Sequence, residues 1–376
     1  MTKHQKHANI TRRNNGNYAP HELAFVGVKC SVIKNLVHTI AEELKGKSKL
    51  AYLDASHADV VKTPAVSSFT YHEKGELVLH SSDTLDPYNS KIALSSFDLV
   101  CINGNHYQGN QQVLFLDKEK EASVKKRLSQ LTNVKFVIKV QEDAPYFDFL
   151  EAEIPNIQKL PCFHLDDIKA IVSEVDKIVE STAPELQGLV LAGGQSTRMG
   201  TDKGLLEYYG KPQRTYLYEA MKSLFPIKDE GQLGTYYSVR QHQDIEGNHI
   251  IDKFKGLGPF GGICSAFQEN PNTAWLVVAT DVPFVTKEIM ELLISKRNPS
   301  KIATTFKGKS KQFPEPLITI WEPKAYPVLL SYLAQGYSCP RKVLINSDVE
   351  IVEIDDAIIR NINTPEELKE VKNELN

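Results

Sequence analysis

Leu189-Val190-Leu191-Ala192-Gly193-Gly194-Gln195-Ser196-Thr197-Arg198-Met199-Gly200-Thr201-Asp202-Lys203 reads as a short apolar strand running straight into a glycine-rich loop. Gly193 and Gly194 carry no side chains, so backbone N–H groups there can close around phosphate oxygens. Arg198 and Lys203 add positive charge where a triphosphate would lie, and Gly200 permits another sharp turn. The pattern is neither the G-x-x-x-x-G-K-[ST] phosphate loop nor the G-x-G-x-x-G dinucleotide fingerprint. A Gly-Gly pair alone is most often a tight turn. Placed after a strand and before Arg and Lys, it points to bound phosphates.

Strand-like and helix-like segments alternate on both sides of this stretch. Downstream, strands are expected at 236–239, 275–279, 302–306, 317–321 and 350–354, with helical spacing between them. Repeated alternation predicts an α/β fold with a mostly parallel sheet, whose ligands sit beyond the carboxyl ends of the strands. Upstream, strands are expected at 23–28, 49–53, 98–102, 111–116 and 134–140, and helices at 32–44, 118–131 and 166–179. Ser181-Thr182-Ala183-Pro184 interrupts the pattern. The expected organisation is a disordered polar tail over 1–20, a first α/β domain over 21–182 and a second over 187–376. A chain of 376 residues is long enough for two cores.

Composition excludes several classes. Hydrophobic residues make up 41% and charged residues 24%, as in ordinary globular proteins. A formal charge of −3 gives no field that recruits nucleic acid or an anionic membrane. No apolar run approaches the ~20 residues of a membrane span and no signal peptide is evident, so the expectation is cytoplasmic. Cys30, Cys101, Cys162, Cys264 and Cys339 are widely spaced and never form C-x-x-C, which suits reduced thiols. The histidines show no zinc-ligand spacing, and His4 and His7 fall in the polar tail.

The segment LAGGQSTRMGTDKGLLEYYGKP, 191–212, resembles the nucleotide-binding signature of the molybdenum cofactor guanylyltransferases, within the nucleotidyltransferase superfamily of Rossmann-like fold. Ile251-Asp252, Gly256-Leu257-Gly258-Pro259-Phe260-Gly261-Gly262, Thr280-Asp281-Val282-Pro283-Phe284, Glu315-Pro316-Leu317 and Asn361-Ile362-Asn363-Thr364-Pro365-Glu366-Glu367-Leu368 follow in that family's order. The resemblance implies transfer of GMP from GTP to the terminal phosphate of molybdopterin, with Mg²⁺ and loss of pyrophosphate. It implies nucleotide contacts at Leu191, Ala192, Gly193, Gly194, Lys203, Asp252 and Gly258, and acceptor contacts at Asn361 and Asn363. Arg198, Lys203 and Asp281 become the catalytic residues, and Asp281 the metal ligand. Partners on this reading are GTP, molybdopterin and, beyond them, molybdoenzymes or other cofactor-biosynthesis proteins.

Each role has a residue-level counterpart. Asp281 follows the apolar run 275–279, which would project a hard carboxylate donor from a strand end into the cleft. Alternate spacing puts the amides of Asn361 and Asn363 on one side of an extended segment. Thr364, Pro365 and Glu367 spell a helix start that needs no ligand. Arg240 and His242 could approach the nucleotide, and Lys211 could be merely a surface residue. Two other readings stay open: a relative using CTP or a sugar phosphate, and a non-catalytic molybdopterin carrier.

The first domain resembles a MobB-like P-loop protein whose loop has degenerated. Val28-Lys29-Cys30-Ser31-Val32-Ile33-Lys34-Asn35 keeps a lysine but lacks both glycines and the Ser/Thr that would hold Mg²⁺. Asp98 and Asn103-Gly104-Asn105-His106 fall at strand ends. The expected role is binding, scaffolding or dimerisation rather than NTP hydrolysis.

Overall fold

Leu23 and Phe25 of the first strand (β1, Glu22–Val26) join one apolar cluster while Ala24 and Val26 join another, and none is more than 1% exposed. Such a strand is covered on both faces, which is why it reads as a continuous apolar run rather than an alternating one. The computed structural model describes residues 16–56, 67–71, 77–80, 87–193, 203–225, 234–241, 245–362 and 364–375. These fall into two compact units, Met1–Thr182 and Ala183–Asn376.

In the first unit, β1 is joined by β2 (Leu50–Leu53), β3 (Ser68–Tyr71), β4 (Leu77–His80), β5 (Leu99–Asn103), β6 (Gln112–Leu116), β7 (Val134–Lys139) and β8 (Cys162–His164). Six of them form a sheet in the order β2-β5-β1-β6-β7-β8, every pairing parallel, and β3 and β4 form a separate antiparallel hairpin. Helices α1 (Cys30–Glu43), α2 (Pro87–Leu94), α3 (Glu121–Lys125), α4 (Asp148–Glu153) and α5 (Ile168–Ser181) lie between strands or after them. The buried faces of α1 (Ile33, Leu36, Val37, Ile40) and α5 (Ile171, Val175, Ile178) recur every three or four residues and cover the Leu23–Phe25 side.

The second unit holds β9 (Leu186–Leu191), β10 (Thr235–Val239), β11 (His249–Ile251), β12 (Ala274–Ala279), β13 (Ala303–Gly308), β14 (Ile318–Trp321) and β15 (Glu350–Ile354). Their order is β11-β10-β9-β12-β14-β13-β15, parallel except for β14, which runs antiparallel to both neighbours. Helices α6 (Gln213–Leu224), α7 (Pro259–Glu269), α8 (Lys287–Ser295), α9 (Ala325–Ala334), α10 (Pro340–Ile345) and α11 (Pro365–Leu375) complete the α/β alternation. Val190, Leu276 and Val278 pack to one side of the sheet and Leu189, Trp275 and Val277 to the other. Trp275 and Trp321 are register partners across β12 and β14, and both are fully buried.

One ion pair is built into this core. The Nε and Nη2 of Arg297 donate to the two carboxylate oxygens of Glu322 at 2.7 and 2.8 Å, and Nη2 also donates to the carbonyl of Pro184 at 2.8 Å. Glu322 is completely buried. Its charge is tolerable there because a planar guanidinium meets it in a two-pronged bond.

Three expectations need correction. The helix expected over 118–131 shrinks to α3 and a 3-10 turn at Leu128–Gln130. Only Val124 of α3 is buried, too little apolar surface to hold a long helix against the sheet. Residues 17–20 fall within the tail expected to be disordered, yet Ala19 is 3% exposed and its amide donates to the Glu22 carboxylate at 2.9 Å. Residues 1–15 lie outside the described residues. The run expected as a strand over 23–28 stops at Val26, because Gly27 turns the chain with φ +105°, and Val28 needs no positive φ.

Candidate active site

Parallel register brings the carboxyl ends of four strands to one edge. Leu191, the last residue of β9, lies opposite Ala279 on β12 and Ser238 on β10, while Val239 of β10 lies opposite Ile251 on β11. The segments that follow, Ala192-Gly193, Thr280-Asp281, Arg240 and Asp252, therefore emerge side by side. β14 runs the opposite way, so its start comes to the same edge, and the Ala279 amide donates to the Leu317 carbonyl at 3.0 Å.

Ser238 ties two of the expected nucleotide-binding positions together. Its carbonyl accepts from the Ala192 amide at 3.0 Å, and its hydroxyl donates to the Asp252 carboxylate at 2.8 Å. Burial raises the Asp252 carboxyl above its ordinary range, against the pull of the Ser238 hydroxyl and the Arg240 charge. A methyl group on Gly193 would lie 3.3 Å from the Arg240 backbone nitrogen and from its Cγ, so a side chain there would press on Arg240 by a few tenths of an ångström. Gly194 and Arg198 lie outside the described residues, as does His242.

Lys203 begins a 3-10 turn, Lys203–Leu205, and its Nζ stands 3.8 Å from Asp281 Oδ2, with both side chains about one-fifth exposed. The other Asp281 oxygen, Oδ1, is buried with no hydrogen-bond partner among the described residues. Burial pushes the Asp281 carboxyl up, and the nearby Lys203 charge opposes that push only in part. The Ile362 amide donates to the Asp281 carbonyl at 2.9 Å, which pins Asn361 beside the strand end. Asn361 Oδ1 is likewise buried and unpartnered among the described residues. Asn363 lies outside the described residues. Thr364 and Glu367 form the reciprocal capping pair that their spacing predicts: the Thr364 amide donates to the Glu367 carboxylate at 3.1 Å, and the Glu367 amide to the Thr364 hydroxyl at 3.3 Å.

Gly258 caps α7 with φ +57° and ψ −137°, a conformation that only glycine adopts without cost, and Pro259 opens the helix. Lys211 pairs with Glu219 at 2.5 Å in an exposed ion pair. Three side chains near the centre went unassigned in the sequence. Glu315, 6% exposed, is raised by burial and by the Asp281 charge while Arg341 holds it from the other side at 3.2 Å. Burial, with the Asp281 charge, pushes the Tyr208 phenol up to about 12. Ser238 is the third. Nothing in the spacing marks them: Ser238 lies within β10, Glu315 precedes β14, and Tyr208 lies between the Lys203–Leu205 turn and α6. Only the reversed direction of β14 carries Glu315 to this edge.

The family model for the MobA-like NTP transferase domain matches residues 188–350. The molybdenum cofactor guanylyltransferase of Vibrio cholerae serotype O1 is 30% identical over 205 residues, which cover 51% of this chain and 96% of that one. The chain belongs to the molybdenum cofactor guanylyltransferase family. A molybdenum cofactor biosynthesis bifunctional protein of a Synechocystis strain is 31% identical over 219 residues, and the match spans 55% of this chain and 62% of that relative. Among solved structures, molybdopterin-guanine dinucleotide biosynthesis protein A of Archaeoglobus fulgidus aligns over 50% of this chain and 97% of its own at 24% identity and a TM-score of 0.41.

In this guanylyltransferase-family unit, α7 packs against the carboxyl ends of β9 and β10. A Cβ on Gly262 would fall 2.4 Å from Ser238 Oγ and 3.1 Å from Leu191 Cδ2. Gly262→Ala is expected to cost about 1–3 kcal/mol by overpacking. It should also weaken GTP binding, because the Ser238–Asp252 bond must move. Urea titration followed by GTP titration checks both, and unchanged GTP affinity in the variant would show that Ser238 does not position the nucleotide site.

Proposed function

We propose that the second unit transfers GMP from GTP to the terminal phosphate of molybdopterin and releases pyrophosphate. The observation that carries this reading is the meeting of Lys203 with Asp281 at the strand edge where Gly193 begins the loop, with Asp281 Oδ1 buried and unpartnered among the described residues. A buried carboxylate oxygen without a donor suits a hard divalent cation, so Asp281 fits Mg²⁺. When bound, the ion would offset charge on the phosphates.

The chain's own residues supply alignment and charge. The backbone amide at Gly193 approaches the phosphates without side-chain obstruction, and Lys203 and Arg198 offset the charge that grows on the departing pyrophosphate. On this reading Asp252, held by Ser238, accepts N–H donors from the purine edge, and Asn361 contacts the acceptor. The attacking phosphate oxygen is already anionic, so the site needs to aim it rather than deprotonate it. The first unit lacks a phosphate loop and takes a binding or scaffolding role.

Incubating the chain with molybdopterin, Mg²⁺ and each NTP in turn, with pyrophosphate and product mass as readouts, tests the reading. GTP-dependent pyrophosphate release with a GMP adduct is expected. CTP dependence would reassign the base, a sugar-phosphate product would reassign the acceptor, and binding with no pyrophosphate from any pair would make the chain a carrier.

A further inference from the structure

The first unit gathers a thiol, an imidazole and a carboxylate at the carboxyl edge of its own sheet. Cys30 is the first residue of α1, Asp54 follows β2, and His106 follows β5, three segments that leave the adjacent strands β1, β2 and β5. Cys30 Sγ lies 3.3 Å from His106 Nε2, and the same nitrogen lies 3.9 Å from Asp54 Oδ1. The Asn105 amide donates to the Val28 carbonyl at 2.8 Å and reaches Cys30 Sγ at 3.6 Å. Asp54 is fixed in turn: Asn103 and the Ala55 amide each donate to Oδ1 at 2.8 Å, and the Tyr52 hydroxyl donates to Oδ2 at 2.9 Å.

This arrangement differs from a cysteine that merely fills space. Cys101 and Cys264 are buried, and burial pushes each thiol up to about 12. Cys30 is partly exposed, beside a possible proton acceptor within sulfur hydrogen-bond range. The Asp54 carboxylate, 3.9 Å from the same Nε2, is too far for a hydrogen bond but near enough for a charge interaction. The Asn105 side chain directs an N–H at the sulfur, and Cys30 opens a 14-residue helix.

We propose that Cys30 is a thiol-modification site that exchanges with small-molecule disulfides, with His106 as its proton acceptor and donor. Sγ attacks one sulfur of R–S–S–R while its proton passes to His106 Nε2. The S–S bond breaks, the departing RS⁻ takes the proton back as RSH, and Cys30 is left as the mixed disulfide Cys30–S–S–R. Cys30 is oxidised and one sulfur of the reagent is reduced, so no other reactant is needed.

The test uses glutathione disulfide as the probe and intact mass with peptide mapping as the readout. Cys162 and Cys339 are exposed and serve as internal references. Three full-length chains are compared, C162S/C339S, C30S/C339S and C30S/C162S, each keeping one accessible thiol. Cys30 is expected to be thiolated on the order of tenfold faster than either reference, and His106→Gln to remove that advantage. Unfolding would also return Cys30 to the rate of an ordinary exposed thiol, so the urea midpoint of the His106 variant is measured beside its rate, and loss of the advantage at an unchanged midpoint is the expected result. Cys30 reacting no faster than Cys162 and Cys339, or an unchanged rate in His106→Gln, overturns the proposal.

Discussion

Asp281→Asn is expected to slow pyrophosphate release by about 10²–10³-fold, the usual cost of removing one preorganised electrostatic contact from a transition state. The isosteric amide keeps the shape but loses the charge that would hold a divalent cation. The same change should leave the metal-free fold at least as stable as wild type. The Asp281 carboxyl is raised by burial, so between its unfolded and folded pKa values the native chain holds more protons than the unfolded one. Stability therefore falls as pH rises through that window and stays reduced above it. The amide never ionises and escapes this loss, although Lys203 then gives up its partner at 3.8 Å. Urea midpoints on either side of that window, alongside turnover at neutral pH, separate the two effects. Turnover within several-fold of wild type would remove Asp281 from the mechanism.

Arg297→Met should destabilise the second unit by about 3–5 kcal/mol, because it leaves the Glu322 charge buried without a partner. Glu322 is completely buried and Arg297 meets both of its oxygens, so no solvent screens the loss. The double variant Arg297→Met/Glu322→Leu should recover most of the stability, since apolar replacement of a buried pair is often neutral. Both tryptophans of the chain, Trp275 and Trp321, lie in this unit, so tryptophan fluorescence in urea reports on it alone. A loss below about 1 kcal/mol in the single variant would place the pair among weak surface contacts.

Much of the architecture was legible because the central strands are buried on both faces. The run at Ala274–Ala279 needs apolar side chains throughout, and the strand expected at 275–279 falls inside it. Thr364 and Glu367 were legible for a different reason: a capping pair is local, three residues apart, and its chemistry is complete within one turn. The helix expected over 118–131 failed because periodicity in a charged stretch counts apolar positions without asking whether the sheet has room for them. The site was partly legible. Gly193, Lys203, Asp281 and Asn361 stood out by type and context, yet that Lys203 reaches Asp281 depends on folding over 78 residues of chain. Glu315 was quoted only within a motif and given no role, and Ser238 was not singled out, since their places come from strand direction and cross-strand bonding. The Cys30–His106 contact spans 76 positions and no spacing rule reaches it.

On the proposed function, Gly193 after β9 and the carboxylate of Asp281 serve one triphosphate. A crystal structure of the full chain with a non-hydrolysable GTP analogue and Mn²⁺, located by its anomalous signal, tests it most directly. The ion is expected in contact with the Asp281 carboxylate, and phosphate oxygens against the amide of Gly193. An ion bound away from Asp281, or a nucleotide seated elsewhere on the chain, would contradict it.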